Sequence, residues 1–307
     1  VPLLANVGSG KDAQAAAAAG AEGIGLLRTE FCFLGRDSEP TQEAQVAAYG
    51  AVFAAFPGRK VVVRTLDAGA DKPLPFLTDT SEPNPALGVR GFRTDRSSPG
   101  VLGRQLEAIA IAAGAHEADV WVMAPMIATA EEAADFAVKC TGAGLAMPGV
   151  MIEVPAAALM AGAVLSRVRF ASLGTNDLTQ YTMAADRQLG TLATLNDPWQ
   201  PAVLQLIGRT VEGARTAEAA AEPDQAAAGT RNVGVCGEAA ADPALAVVLT
   251  GLGVNTLSMT PRALASVGAV LATVSLSEAQ ELASLALLAQ TAAEARSSVR
   301  ARLPVLE

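Results

Sequence analysis

The sequence predicts an α/β protein, a (β/α)8 TIM-type barrel with a C-terminal helical extension. Three observations predict it. Short apolar runs alternate with longer helix-patterned stretches along the chain, the order of a parallel sheet. The runs are nearly continuous rather than alternating, so both strand faces are covered. There are enough units for eight strands, which favours a closed barrel over the rival, an open doubly wound sheet. The 307 residues fit one domain, 1–307, in which 275–307 form the extension. Hydrophobic residues make up 51% and aromatics 4%, so the core is one of Val, Ile, Leu and Ala, large enough to need no staples.

The strand candidates are Leu3–Val7, Gly23–Leu27, Lys60–Leu66, Val120–Ala124, Gly149–Val154, Phe170–Gly174 and Val233–Gly237. Gly88–Arg93 and Thr256–Met259 are weaker, which gives nine candidates for eight places. Helical patterns fall at 10–19, 41–56, 97–114, 129–142, 155–165, 199–219, 241–251 and 261–273. Thr129 with Glu132, and Ser277 with Gln280, have the spacing of capping boxes. Residues 278–302 read as one amphipathic helix with Leu282, Leu285 and Leu288 on a broad face, for packing on the barrel or for a subunit contact. The Ala-rich segment 219–229 reads as a surface loop.

A net charge of −9 excludes a general nucleic-acid surface, which needs a basic stripe, but not a small anion held by local arginines. Cys32, Cys140 and Cys236 form no C-x-x-C pair, so a zinc ribbon or disulfide framework is not expected and the chain reads as cytoplasmic. The uncharged stretch 243–261 contains Gly251, Gly253, Asn255 and Pro261, and reads as helix, turn and strand rather than a membrane span. The start at Val1, without a signal peptide, suggests a piece of a longer protein. No G-x-G-x-x-G opens a helix after the first strand and there is no Walker A loop, so the usual phosphate cradles of nucleotides are missing.

Polar residues collect where strand candidates end. Arg28, Thr29 and Glu30 follow the second, and Arg64, Thr65 and Asp67 close the third. Glu153 ends the run from Val150, Asn176 and Asp177 follow Phe170–Gly174 with Arg187 further on, and Cys236, Gly237 and Glu238 close Val233–Gly237. A barrel puts these ends on one face, where barrel enzymes keep their active sites. Arg28, Arg64 and Arg187 suit phosphate or carboxylate. Glu153 and Asp177 are hard oxygen donors, and two carboxylates with ligand oxygens and water can hold Mg²⁺. Together they imply a small, multiply anionic ligand bridging cations and metal. Singly, each has a plainer reading: an arginine paired to a neighbour, Asn176-Asp177 as a helix cap, Cys236 as a small buried hydrophobe. His116, the only histidine, reads as a surface residue, which excludes a catalytic triad and a histidine-rich zinc site.

At these residues the sequence resembles the C-terminal domain of phosphoenolpyruvate–protein phosphotransferase, Enzyme I of the bacterial sugar phosphotransferase system. The stretches that carry the resemblance are AEGIGLLRTEF (21–31), VVVRTLD (61–67), NPALGVRGFR (84–93), MIEVPAA (151–157), SLGTNDLTQY (172–181), AADR (184–187) and GVCGE (234–238). GTNDLTQY with RTEF is specific; MIEVPAA or CGE alone is weak. Related barrels occur in pyruvate phosphate dikinase and phosphoenolpyruvate synthase, and a domain that only senses phosphoenolpyruvate or pyruvate is the non-catalytic alternative.

The resemblance implies that Arg28, Asn176 and Arg187 hold the phosphate and carboxylate of phosphoenolpyruvate, with Arg64 nearby. It implies that Glu153 and Asp177 ligate Mg²⁺, that Cys236 protonates the enolate carbon as pyruvate forms, and that Glu238 supports that end of the site. It further implies a homodimer, no membrane or nucleic-acid partner, and transfer to a histidine on a separate N-terminal domain that serves a phosphocarrier protein in sugar uptake. His116 does not match that acceptor, and the family uses one more phosphate-binding arginine upstream of the first strand. The chain alone is therefore expected to bind phosphoenolpyruvate weakly and to complete no transfer in cis.

Overall fold

Each strong apolar run forms a strand. In the computed structural model, which describes residues 1–68, 73–221 and 231–306, these are β1 (Leu3–Val7), β2 (Ile24–Arg28), β3 (Lys60–Arg64), β4 (Asp119–Ala124), β5 (Pro148–Ile152), β6 (Phe170–Gly174), β7 (Asn232–Cys236) and β8 (Thr256–Met259). They pair in parallel in chain order, and β8 returns to β1 with Leu3 opposite Leu257 and Ala5 opposite Met259. Closure removes the free sheet edge.

The period of two divides each strand between two cores. Leu26, Val62, Met123, Met151, Phe170 and Cys236 point inward and cluster, with Trp121 packed against them. Leu27, Val63, Val122, Ile152, Leu173, Val235 and Leu257 point outward into the larger cluster shared with the helices. Each such side chain contributes about 1.5–3 kcal/mol on burial, which is why the strands read as unbroken apolar runs. Gly149 leaves room for the inward Phe170, since a Cβ there would lie 2.2 Å from the ring.

The main surrounding helices are Gly10–Ala18, Gln42–Phe53, Val101–Gly114, Ala130–Gly142, Pro201–Ala219, Pro243–Gly251 and Leu264–Leu271, with the pair Pro155–Leu159 and Ala161–Leu165 after β5. Thr129 and Glu132 form the expected capping box at the start of Ala130–Gly142. The stretch 243–261 is helix, turn and β8, and among the described residues no single helix is long and apolar enough to cross a membrane.

Four expectations change. Gly88–Arg93 is not a strand: it turns in two 3-10 segments, Pro85–Leu87 and Gly91–Arg93, because Gly91 takes φ +56 and cannot continue an extended run, so Thr256–Met259 fills the eighth place. Residues 278–302 are two helices, Leu276–Leu288 and Ala292–Arg300, broken where extended Ala289 ends the first and Thr291 caps the second. The first packs Leu282, Ala283 and Ala286 inward, but Leu285 is half-buried and Leu288 is exposed. Its capping box is Ser275 with Glu278, two residues before the predicted Ser277 and Gln280. His116 is half-buried rather than superficial, its ring edge-on to Phe53 at 6.5 Å. Most of the predicted 219–229 loop lies outside the described residues; Ala219 ends its helix.

Candidate active site at the C-terminal mouth of the barrel

Strand ends supply the site. Arg28 is the last residue of β2, Arg64 of β3 and Cys236 of β7, and Glu153 directly follows β5. Asn176 and Asp177 lie in the first turn of helix Thr175–Met183, which begins where β6 stops. Ala184 ends that helix in the left-handed region at φ 50, and the Arg187 amide donates to Gln180 Oε1 at 3.0 Å, which brings Arg187 back to the mouth. All of these residues and Glu238 line one cavity of ≈ 290 Å³. Asn176, Arg187 and Glu238 form its exposed rim, and Arg64, Glu153, Asp177 and Cys236 its buried part.

Most of the charge is arranged as a ladder of alternating sign. Arg64 pairs with Glu30 and, at 3.4 Å, with Asp67 Oδ2. Arg90 clamps Asp67 through Nε at 3.1 Å and Nη2 at 2.7 Å, and reaches Asp177 Oδ1 with Nη1 at 3.1 Å. Arg187 Nη1 stands 3.7 Å from Asp177 Oδ2. Removing one partner from such a buried ion pair typically costs about 3–5 kcal/mol, because a lone charge stays behind. Arg28 is held differently. Its guanidinium lies 5.5 Å from the ring centroid of Phe31, and among the described residues no carboxylate pairs with it.

Glu153 is buried, and its Oε1 accepts the Met126 amide at 2.7 Å. Its Oε2 is buried without a hydrogen-bond partner among the described residues. Gly174 keeps space beside that oxygen, since a Cβ there would lie 2.7 Å away. Burial, with Asp177 and Asp67 nearby, pushes the Glu153 carboxyl up to about 8. A desolvated carboxyl with one unpartnered oxygen would suit a hard cation, which would displace its proton. Asp177 is the second donor; its oxygens receive Arg90 and Arg187 but keep further lone pairs. Among the described residues no three His, Cys, Asp or Glu side chains gather as a metal cluster, so a cation here needs ligand and water oxygens as well.

Burial pushes the Cys236 thiol up to about 11, with Arg64 and Arg28 partly opposing, so it is a thiol at neutral pH. Helix Thr175–Met183 starts without a side-chain cap, so among the described residues no side chain takes up its first-turn amides as a cap.

The structure thus brings every sequence-predicted site residue to one mouth. It adds Arg90, a full member of the charge ladder, with Asp67 and Glu30 as counterions. Arg90 lies in the NPALGVRGFR stretch, but that stretch reads as a weak strand and not as a strand end. Glu30 and Arg64 lie 34 residues apart, so their pairing leaves no local signal.

Residues 1–276 match the family described as PEP-utilising enzyme, PEP-binding domain. The chain is 52% identical to the phosphoenolpyruvate-protein phosphotransferase of Streptomyces coelicolor, over 99% of this chain and 53% of that protein. It is 41% identical to the protein of the same name from Haloferax volcanii, over 96% of this chain and 52% of that one. With the multiphosphoryl transfer protein of Rhodobacter capsulatus the identity is 42%, over 96% of this chain and 35% of that protein. The chain thus spans about half the length, or less, of these curated relatives. Among solved structures, a citrate lyase from Burkholderia xenovorans shares the fold, with TM-score 0.51 and 15% identity over 98% of this chain and 91% of that one.

Proposed function

The chain belongs to the PEP-binding domain family of the PEP-utilising enzymes, and from that premise we propose that its mouth holds phosphoenolpyruvate with Mg²⁺ while the phosphoryl group passes to a histidine on a separate N-terminal domain. The observation that carries this reading is the convergence of four arginines, three buried carboxyl groups and a protonated thiol on one cavity. A phosphate, a carboxylate and a carbon awaiting a proton are the three needs that this set meets.

Phosphoryl transfer is mainly positioning and charge neutralisation. Arg28, Arg187 and Asn176 hold the phosphate and carboxylate at the rim, and Arg64 and Arg90 supply positive potential below. Glu153 and Asp177 would hold Mg²⁺, which neutralises phosphoryl and enolate oxygens when bound. As the bond from phosphorus to the enol oxygen breaks and that from phosphorus to the histidine nitrogen forms, the electron pair stays on the enolate. The Cys236 thiol gives its proton to the enolate carbon, which makes pyruvate, and Glu238 supports that end. The thiolate left behind is stabilised by Arg64 and Arg28, the cations that oppose the burial of its charge.

In the whole protein the histidine domain would then serve the phosphocarrier protein of sugar uptake, in the cytoplasm. The names of the Streptomyces and Haloferax relatives support this over a dikinase, a synthase or a sensor. A homodimer through the barrel domain is part of the reading, and the exposed Leu87, Val89, Leu159, Met160 and Leu189 on loops after β3, β5 and β6 offer apolar surface for it. Calorimetric titration of phosphoenolpyruvate with and without Mg²⁺, on the wild type and Asp177→Ala, tests the site. Equal, Mg²⁺-independent binding in both proteins would sink the metal-bridged arrangement.

A further inference from the structure

The arginines of the mouth are held by two unlike devices. Arg64 and Arg90 are locked by carboxylates, which fix their forks and occupy their N–H groups. Arg28 sits over the ring of Phe31, its Nε buried without a hydrogen-bond partner among the described residues. Phe31 is 52% exposed, unusual for a large aromatic with no core role. Its ring is nevertheless seated, lying so close over Gly8 that a Cβ there would be 2.4 Å from Phe31 Cδ2. Gly8 follows the end of β1 and Phe31 lies three residues after Arg28, so two neighbouring strand ends form the seat.

We propose that Phe31, seated on Gly8, is the positioning residue for Arg28, holding the guanidinium toward the cavity by its ring face and leaving the positive charge for the anion. This rests on the reading of the site as one for phosphoenolpyruvate. A carboxylate would position the arginine as well, but would compete with the phosphate for the same N–H groups. An aromatic face attracts the cation through its quadrupole and accepts none of the in-plane hydrogen bonds, so the fork stays available to the ligand. Gly8 belongs to the device because any side chain there displaces the ring; its backbone is not in the left-handed region, so the glycine is needed for space and not for conformation.

The test uses phosphoenolpyruvate with Mg²⁺ in calorimetry on the wild type, Phe31→Leu, Phe31→Tyr and Gly8→Ala, together with phenylglyoxal modification of the unliganded proteins read at Arg28 by peptide mass. Phe31→Leu keeps apolar bulk and removes the π face. It is expected to weaken binding about two- to fivefold, the range of an exposed cation–π contact. The same substitution is expected to speed modification of Arg28 several-fold relative to Arg64, at an unchanged unfolding midpoint. Phe31→Tyr restores both values, and Gly8→Ala behaves as Phe31→Leu does. Unchanged affinity in Phe31→Leu, or an unchanged Arg28 modification rate, overturns the inference while leaving the site reading in place. No binding by the wild type removes the reading and the inference with it.

Discussion

At the N-terminal mouth of the barrel Lys60 places its ammonium 3.6 Å from the Trp121 ring centroid, Trp121 packs on Phe170 at 4.9 Å, and its Nε1–H donates to Asp119 at 2.9 Å. At the C-terminal mouth the charges are more numerous and less finished. Arg28 Nε, Glu30 Oε2, Arg64 Nε, Glu153 Oε2 and Thr175 Oγ1 are all buried there with no hydrogen-bond partner among the described residues. Native proteins leave few such atoms, because each costs about 1–3 kcal/mol. One mouth is a plug with a single such atom among the described residues, Arg231 Nε just before β7, and the other gathers five around a shared cavity. Charge alone does not separate stability from function, since Lys60 is as cationic as Arg28; what separates them is how many unsatisfied groups gather around one cavity.

Four experiments break or sharpen that contrast. Cys236→Ala removes the proposed proton donor but not the charge ladder. With an N-terminal histidine domain supplied in trans, pyruvate formation should fall by about a hundredfold or more, with phosphoenolpyruvate affinity held, as for loss of a general acid. Unaffected turnover would exclude Cys236 as the donor. Asp177→Ala strips Arg90 and Arg187 of a shared counterion and Glu153 of its fellow donor, and should weaken Mg²⁺-dependent binding by about a hundredfold in calorimetry. The third reads the Cys236 thiol, whose folded value is raised to about 11 from an ordinary 9. Between those values the folded state holds the proton more tightly, so this group lowers stability as pH rises through 9 to 11. Iodoacetamide labelling of Cys236, followed by peptide mass, should remain slow at pH 8 and climb about tenfold per pH unit toward 11, in step with the thiolate fraction. Fast labelling at pH 7 would mean a preformed thiolate. Lys60→Met gives the smallest effect, about 1 kcal/mol off stability in urea unfolding from the lost cation–π contact, and no change in ligand affinity. A loss of affinity would show that the plug also serves the site.

Much of this was legible in the sequence. The eight strands were, because each faces two cores and so reads as an unbroken apolar run; Val61–Val63 and Val150–Ile152 show it plainly. The strand-end residues were legible for a related reason: polarity returns abruptly at Arg28, Arg64, Glu153 and Cys236. Arg90 was not, since it lies inside Gly88–Arg93, which reads as a weak strand with no end at Arg90, and the positive φ at Gly91 goes with a tertiary contact to Met126. The ladder itself was invisible, because Glu30 meets Arg64 and Asp177 meets Arg90 across 34 and 87 residues. The misplaced cap has a local cause: Ser275–Glu278 and Ser277–Gln280 offer the same spacing, and the backbone turns at the first.

Gly91 has a consequence for how the site responds to disturbance. It sits so close to Met126 that a Cβ would lie 2.9 Å from the Met126 Cβ, and the next residue, Phe92, bonds Pro125 O through its amide at 3.1 Å. Met126 is itself held at φ 61, and its amide grips Glu153. Arg90 is one peptide bond from Gly91. The cation that bridges Asp67 to Asp177 and the carboxyl that receives the Met126 amide are therefore joined through one close contact, Gly91 on Met126. A side chain at Gly91 would press on Met126, so one substitution would disturb the neighbour of Arg90 and the amide that aims Glu153 together.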